Sequence, residues 1–206
     1  MGDFRRASPF FTMLVRISRP FMHFPFRLRA TGLEHIPPEG GFVVASNHAS
    51  ILDPWPLGFP LYPRQIHYMA KAELYKNPVI RGILERGEAF PVRRGERDSE
   101  SFKTAVRYAR EGGVVAMFPE GTRRVKGLRK RYQPEPHVGA ARIALAAGVP
   151  LVPAAIKGTD NLRRLEPLRI AYGAPIEVSG NGTRREAAQE ATERLMEAIA
   201  ELEATL

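Results

Sequence analysis

The sequence predicts an α/β domain preceded by a short amphipathic helix. Apolar runs of strand length, such as Phe42 to Ser46, Val114 to Met117 and Leu151 to Ile156, recur along the chain. Between them lie stretches with helical spacing, such as Phe102, Ala105, Val106 and Ala109. Strands alternating with helices argue for α/β. At 206 residues and 44% hydrophobic content, the chain can bury one substantial core. We therefore divide it into an N-terminal amphipathic segment, residues 1–25, and one domain, residues 26–206.

The elements follow in order. Ser8-Pro9 reads as a helix start and Pro20 as its end. Phe10, Phe11, Leu14 and Ile17 fall near helical spacing, with Arg5, Arg6, Arg16 and Arg19 around them. Six of the eleven Phe lie in the first 26 residues. A basic helix with aromatic anchors suits a membrane interface, and packing on the domain's own core is the alternative. Phe26 to Ala30 reads as a first strand, and Gly32 to Gly41 as a Pro/Gly-rich connection. Phe42 to Ser46 reads as a buried strand, Pro54 to Phe59 as a short helix or turn, and Ile66 to Ala70 as a strand. Lys71-Ala72-Glu73-Leu74 reads as a loop, Pro78 to Arg86 as a helix, and Ala89 to Val92 as a strand. Asp98 to Arg110 is helical, stopped by Gly112-Gly113. Val114 to Met117 is a second buried strand, and Val138 to Ala147 a small-residue helix ending at Gly148. Leu151 to Ile156 and Leu168 to Tyr172 complete the strands. Thr183-Arg184-Arg185-Glu186 is a capping box that starts the last helix. Ala188, Ala191, Leu195, Ile199, Leu202 and Leu206 share one face of that helix.

Chemistry concentrates at strand ends. Asn47-His48-Ala49-Ser50-Ile51-Leu52-Asp53 follows the strand at 42–46. A neutral imidazole takes a proton near pH 7, and a carboxylate on its other nitrogen fixes the tautomer and stabilises the imidazolium. On one continuous helix an i,i+5 pair points about 140° apart. His48 and Asp53 therefore suit a loop that folds back, as a general base and its orienter. Asp53-Pro54 fits, with Pro at a first helical position and Asp at the cap before it. The plainer alternative is a helix cap beside an ordinary loop histidine. Asn47 braces the turn or makes a local Asx turn.

Phe118-Pro119-Glu120-Gly121-Thr122-Arg123 opens a loop after the strand at 114–117, offering amides, a carboxylate and a guanidinium. Phe90-Pro91-Val92-Arg93-Arg94-Gly95 also sits where a strand gives way to a loop, and Val149-Pro150-Leu151-Val152-Pro153 lies at a strand. In this order and spacing, over roughly residues 30 to 160, these motifs resemble the glycerolipid acyltransferase family. Its Asn-His-x4-Asp motif is met by Asn47, His48 and Asp53. Its second motif is best matched by Arg94, with Arg93 the competitor. Its Phe-Pro-Glu-Gly-Thr-Arg motif is matched at every position by residues 118 to 123. One departure is His137-Val138-Gly139, where many members carry a Lys or Arg before the Gly-Ala-Ala-Arg helix.

The resemblance implies a mixed sheet flanked by helices, with 26–206 as the catalytic domain. It implies transfer of an acyl chain from acyl-CoA or acyl carrier protein to 1-acylglycerol-3-phosphate, giving phosphatidic acid. His48 and Asp53 would be catalytic. Asn47, Lys71, Arg94, Glu120, Gly121, Thr122 and Arg123 would bind substrate. The phosphate would meet Arg94, Arg123 and the Gly121 amide, with Lys71 adding charge. Glu120 would orient an Arg or accept a hydrogen bond from the glycerol hydroxyl.

Composition narrows the classes. No cysteine is present, which excludes disulfides, thiolate metal sites and a Cys nucleophile. No His-Glu-x-x-His, Gly-x-Ser-x-Gly, P-loop or Gly-x-Gly-x-x-Gly pattern occurs. Direct attack by a substrate hydroxyl fits these absences, and neither a metal nor a cofactor is expected. No apolar run reaches the ~18–20 residues that span a bilayer. The N-terminal apolar run is broken by Arg16, Arg19 and Pro20, so it does not read as a signal peptide. The protein is expected in the cytoplasm, peripheral on the inner face of the cell membrane. Net charge is +9, which attracts anionic lipid, phosphorylated substrates or an acidic carrier. Arg123, Arg124, Lys126, Arg129, Lys130 and Arg131 form a dense basic loop. Trp55 lines an acyl groove, sits at the interface or packs in the core. Competing readings are an acyltransferase for another lysophospholipid or glycolipid, a thioesterase, or a basic nucleic-acid- or membrane-binding protein without catalysis. That last reading leaves the motifs unexplained, so no nucleic-acid partner is expected.

Overall fold

The computed structural model describes residues 3–93, 98–121, 136–160, 165–179 and 183–206. Among them seven strands form one sheet: β1 (Arg29–Thr31), β2 (Phe42–Ser46), β3 (Ile66–Lys71), β4 (Phe90–Val92), β5 (Val114–Met117), β6 (Leu151–Lys157) and β7 (Arg169–Tyr172). Their spatial order is β1-β7-β6-β2-β5-β3-β4. Strands β6, β2, β5, β3 and β4 run parallel. β7 is antiparallel to β6 and parallel to β1, so the sheet is mixed. Helices α1 (Pro9–His23), α2 (Pro54–Gly58), α3 (Pro78–Arg86), α4 (Ser99–Arg110), α5 (Gly139–Ala147) and α6 (Arg184–Thr205) surround it.

β2 shows why the sheet needs covering on both sides. All five of its residues are buried, as expected of a central parallel strand. Side chains alternate across a strand. Val43 and Ala45 enter a core with Ala105 and Ala109 of α4, Ala140 and Ile143 of α5, and Leu195 and Ile199 of α6. Phe42 and Val44 enter the opposite core with Phe11 and Val15 of α1 and Leu57 of α2. The N-terminal helix thus packs into the sheet's own core. It also keeps an outer stripe, where Met13, Ile17 and Phe21 are exposed.

Several boundaries depart from the sequence reading. The first helix does not end at Pro20 but runs on to His23. Pro20 lacks only its own N–H, while its carbonyl accepts from the Phe24 amide at 2.8 Å and Met22 buries its side chain beyond it. The first strand is Arg29–Thr31, not Phe26 to Ala30. The Leu28 amide bonds Met22 O, the Phe26 carbonyl accepts from Leu168, and Arg27 between them has φ +45, so that stretch turns outside the ladder. The loop expected at 71–74 becomes a 3₁₀ turn, Ala72–Lys76. Asp98 caps α4 through Ser101 N, and Thr183 with Glu186 forms the full capping box of α6.

His67, on β3, supplies a pH-dependent weak point. Its ring is buried, stacks on Tyr108 at 3.8 Å and bonds Glu88 O at 3.1 Å through Nδ1. Burial, reinforced by Arg5 and Arg107, pushes its pKa down to about 4 from 6.5. The unfolded chain therefore takes up this proton between pH 6.5 and 4 while the folded chain does not. Stability is unaffected above pH 7 and falls as pH drops through that window. A gap of that size corresponds to roughly 3 kcal/mol in full. Urea unfolding at pH 7 and pH 5 should show the loss in the native chain, and His67→Gln should flatten it. An equal acid loss in both proteins would remove His67 as the cause.

Candidate active site

Every parallel strand points its C-terminal end to one edge of the sheet, where ligands of open α/β sheets usually bind. Ala45, one residue before β2 ends at Ser46, pairs in register with Met117, the last residue of β5. Chain leaving β2 therefore meets chain leaving β5. His48 and Phe118 come together at this point, with rings 4.2 Å apart and nearly parallel at 20°.

The loop after β2 folds back, as the spacing required. Asp53 is fully buried and its Oδ2 lies 2.8 Å from His48 Nδ1. The same oxygen accepts from the amides of Ala49 at 2.6 Å and Ser50 at 2.7 Å. Oδ2 is thus an acceptor three times over, so Nδ1 must be the donor. That assigns the lone pair to His48 Nε2. Asp53 does hold the cap position before Pro54, but its side chain makes no capping bond to α2. The carboxylate is instead turned back onto the histidine loop.

Asn47 is buried and reaches across to β6. Its Nδ2 donates to Ile156 O at 3.0 Å, and its Oδ1 accepts from Ile156 N at 2.8 Å and from Ser46 Oγ. The side chain continues the β2–β6 ladder by one rung. The amide is thus engaged with backbone of β6. Asn47→Ala leaves both Ile156 groups buried and unpaired, so it should cost on the order of 1–3 kcal/mol. Denaturant unfolding measures this; unchanged stability would mean that the strand ends do not need the rung.

The 118–121 segment forms a turn. The Gly121 amide donates to Phe118 O at 3.0 Å. Gly121 has φ +65, and a Cβ there would meet the His137 ring at 2.6 Å. Glycine is required on both counts. His137 in turn donates its amide to Pro119 O at 2.9 Å. It therefore stands against the turn at the position where the sequence departs from the family pattern. Glu120 lies half-buried within the same turn.

Lys71 is exposed at the end of β3, on the same edge and two strands across from β2. Arg93 is exposed just past β4, and its amide donates to Asp98 Oδ2 at 2.9 Å. Asp98 also receives Ser101 N, so it ties the end of β4 to the start of α4. These bonds hold its carboxyl below the usual carboxylate range, the Ser101 hydroxyl foremost and then the Arg93 and Ser101 amides. Arg94, Thr122, Arg123 and the basic loop to Arg131 lie outside the described residues. The sequence reading missed three contributors: Phe118 as a ring platform, His137 against Gly121, and Lys157, exposed at the end of β6 beside β2. The ring stack and the Gly121 contact depend on pairings far apart in the chain. Lys157 alone had a local signal, as a cation closing a buried apolar run. Trp55 packs against Phe11 at 5.6 Å and Phe59 at 6.4 Å.

Among the described residues no group of three His, Asp or Glu side chains stands together to hold a metal ion. No helix among them is long and apolar enough to cross a membrane.

The family described as Acyltransferase matches residues 27–157. A Bacillus subtilis protein named 1-acyl-sn-glycerol-3-phosphate acyltransferase is 35% identical over 175 residues, covering 82% of this chain and 85% of that one. A Streptococcus pneumoniae protein of the same name is 27% identical over 142 residues, covering 67% of this chain and 51% of that one. Among solved structures, the 1-acyl-sn-glycerophosphate acyltransferase PlsC of Thermotoga maritima superposes with a TM-score of 0.68 at 24% identity, over 94% of this chain and 79% of that one. It shares the fold.

Proposed function

The chain belongs to the acyltransferase family, and we propose that it acylates the sn-2 hydroxyl of 1-acylglycerol-3-phosphate from a thioester donor, giving phosphatidic acid. The observation that carries this reading is the His48–Asp53 pair, with Nε2 left for a substrate at the parallel edge of the sheet. The name of the Bacillus subtilis relative supports the acceptor.

The acceptor hydroxyl attacks the thioester carbonyl carbon. Its proton passes to His48 Nε2 as the new C–O bond forms. The tetrahedral intermediate then expels the thiolate, which takes the proton back from the imidazolium. A C–S bond is exchanged for a C–O bond and no acyl-enzyme forms. Asp53 holds the Nδ1–H and stabilises the imidazolium. Phe118 sets the plane of the ring. Arg94 and Arg123 are proposed to bind the acceptor phosphate, because guanidinium matches its geometry. Lys71 and Lys157, exposed on the same edge, add positive charge. Purified protein, a panel of lysolipids and both acyl-CoA and acyl carrier protein donors test the reading, with products identified by mass. Lysophosphatidic acid should gain one acyl chain. A better-used lysophospholipid or glycolipid would change the acceptor. Thioester hydrolysis without any acylated product would replace transferase by thioesterase.

The protein is proposed to work as a peripheral enzyme on the cytoplasmic face of the cell membrane, with α1 at the lipid surface. Met13, Ile17 and Phe21 are exposed at i, i+4 and i+8, Phe24 is exposed just past the helix end, and Arg16 and Arg19 are exposed among them. Deleting the helix would strip Phe11 and Val15 from the core, so substitution is the cleaner test. Ile17→Glu with Phe21→Glu should weaken binding to anionic vesicles at least tenfold, since burying one such side chain is worth roughly 1.5–3 kcal/mol. Co-sedimentation measures it, and binding equal to that of the native chain would place the membrane contact elsewhere.

A further inference from the structure

Helix α3 buries none of its residues. It nevertheless has one apolar side. Val79, Ile80, Ile83 and Leu84 fall within roughly 140° of its circumference. Val79 is 71% exposed, Ile83 50% and Ile80 39%. Nine residues are too few for a helix to hold itself in water unaided. Local devices support it: Asn77 accepts from the amides of Val79 and Ile80, and Arg81 pairs with Glu85 at 2.7 Å. The helix is capped and stapled, yet its apolar side faces outward.

Its place in the fold limits what could cover that side. The 3₁₀ turn at Ala72–Lys76 leads into it directly from the C-terminal end of β3. That is the edge carrying His48, where Ile51 and Leu52 of the histidine loop are also 71% and 45% exposed. Between Lys71 and Arg86 the chain carries four cations, Lys71, Lys76, Arg81 and Arg86, against two acids, Glu73 and Glu85. An apolar stripe bordered by cations, on a helix of low overall hydrophobicity, is the pattern of an element lying in a lipid headgroup layer.

We propose that α3 lies in the surface of an anionic bilayer, apolar side down, holding the β3 side of the catalytic edge against the membrane. The inference rests on the lipid-acceptor reading, because an acceptor embedded in a bilayer requires the catalytic edge to reach that surface. It makes the contact two-sided, with α1 and α3 each presenting a stripe.

The chain has no cysteine, so Ile83→Cys gives a single attachment point for an environment-sensitive fluorophore on the full protein. Glu190→Cys, on an exposed position of α6, is the control. Phosphatidylcholine vesicles containing phosphatidylglycerol should shift emission at position 83 to the blue and leave position 190 unchanged. Phosphatidylcholine alone, or added salt, should give a smaller shift. Val79→Ser with Ile83→Glu should lower partitioning to the anionic vesicles about tenfold. Turnover of a water-soluble short-chain acceptor should stay at the native rate in that variant. A native chain inactive on every lysolipid would overturn the proposed reaction, whereas the fluorescence readout would still report on α3. The inference is overturned if position 83 stays in a watery environment on vesicles that bind the protein. It is equally overturned if position 83 shifts without lipid, in step with a dimer mass by light scattering. The face would then belong to a second copy of the chain.

Discussion

His48→Ala is expected to lower turnover by a factor of about 10²–10⁴, the usual worth of a positioned base. The drop should fall on kcat and kcat/KM together, because proton transfer is an interaction made only in the transition state. The fold should survive. Asp53 keeps its two amide bonds from Ala49 and Ser50 without the imidazole, and the loop stays closed. The partners lost are one hydrogen bond and the stack on Phe118. His48→Gln, which keeps bulk in the gap, should be as inactive as His48→Ala and closer to native stability. Product formation by mass and unfolding by denaturant are measured on the same preparations. Near-native turnover in a folded His48→Ala protein would exclude the histidine as base.

The site was readable in the sequence where its logic is local. His48 and Asp53 are five residues apart, and a turn suffices to join them. β2, α3 and β5 were placed with their observed ends, because Gly, Pro, Asn or charged residues bracket the apolar stretches. What could not be read is carried by pairings across the chain. Nothing near Asn47 announces that its amide completes a rung with Ile156, 109 residues later. Nothing near Phe118 announces a ring stack with His48, which follows only once β2 and β5 are neighbours. The strand order has the same character, as does the antiparallel placing of β7, since apolar runs do not name their partners. The N-terminal helix mixes the two cases. Its helical spacing was local, but only the packed sheet divides its apolar residues into a buried set, Phe11, Val15 and Met22, and an exposed one.

Asp53 separates charge from geometry in a way that His48 does not. One oxygen, Oδ2, accepts from His48 Nδ1, Ala49 N and Ser50 N, while Oδ1 is buried with no hydrogen-bond partner. Asp53→Asn can therefore place its carbonyl oxygen where Oδ2 stands and keep all three bonds. Its NH2 group then replaces an atom that bonded nothing. The turn should hold and stability should change little. The negative charge that stabilises the imidazolium is gone, and turnover should fall on the order of 10²–10⁴-fold. Asp53→Ala removes the acceptor as well. Two loop amides lose their partner, which should cost on the order of 1–3 kcal/mol of stability in addition to activity. The two substitutions thus predict a similar catalytic loss with different unfolding midpoints. If Asp53→Asn works at the native rate, the carboxylate serves only to close the turn, and imidazolium stabilisation must be sought elsewhere. If Asp53→Asn is as unstable as Asp53→Ala, the loop geometry depends on charge, and its loss of activity reports on folding rather than on the base.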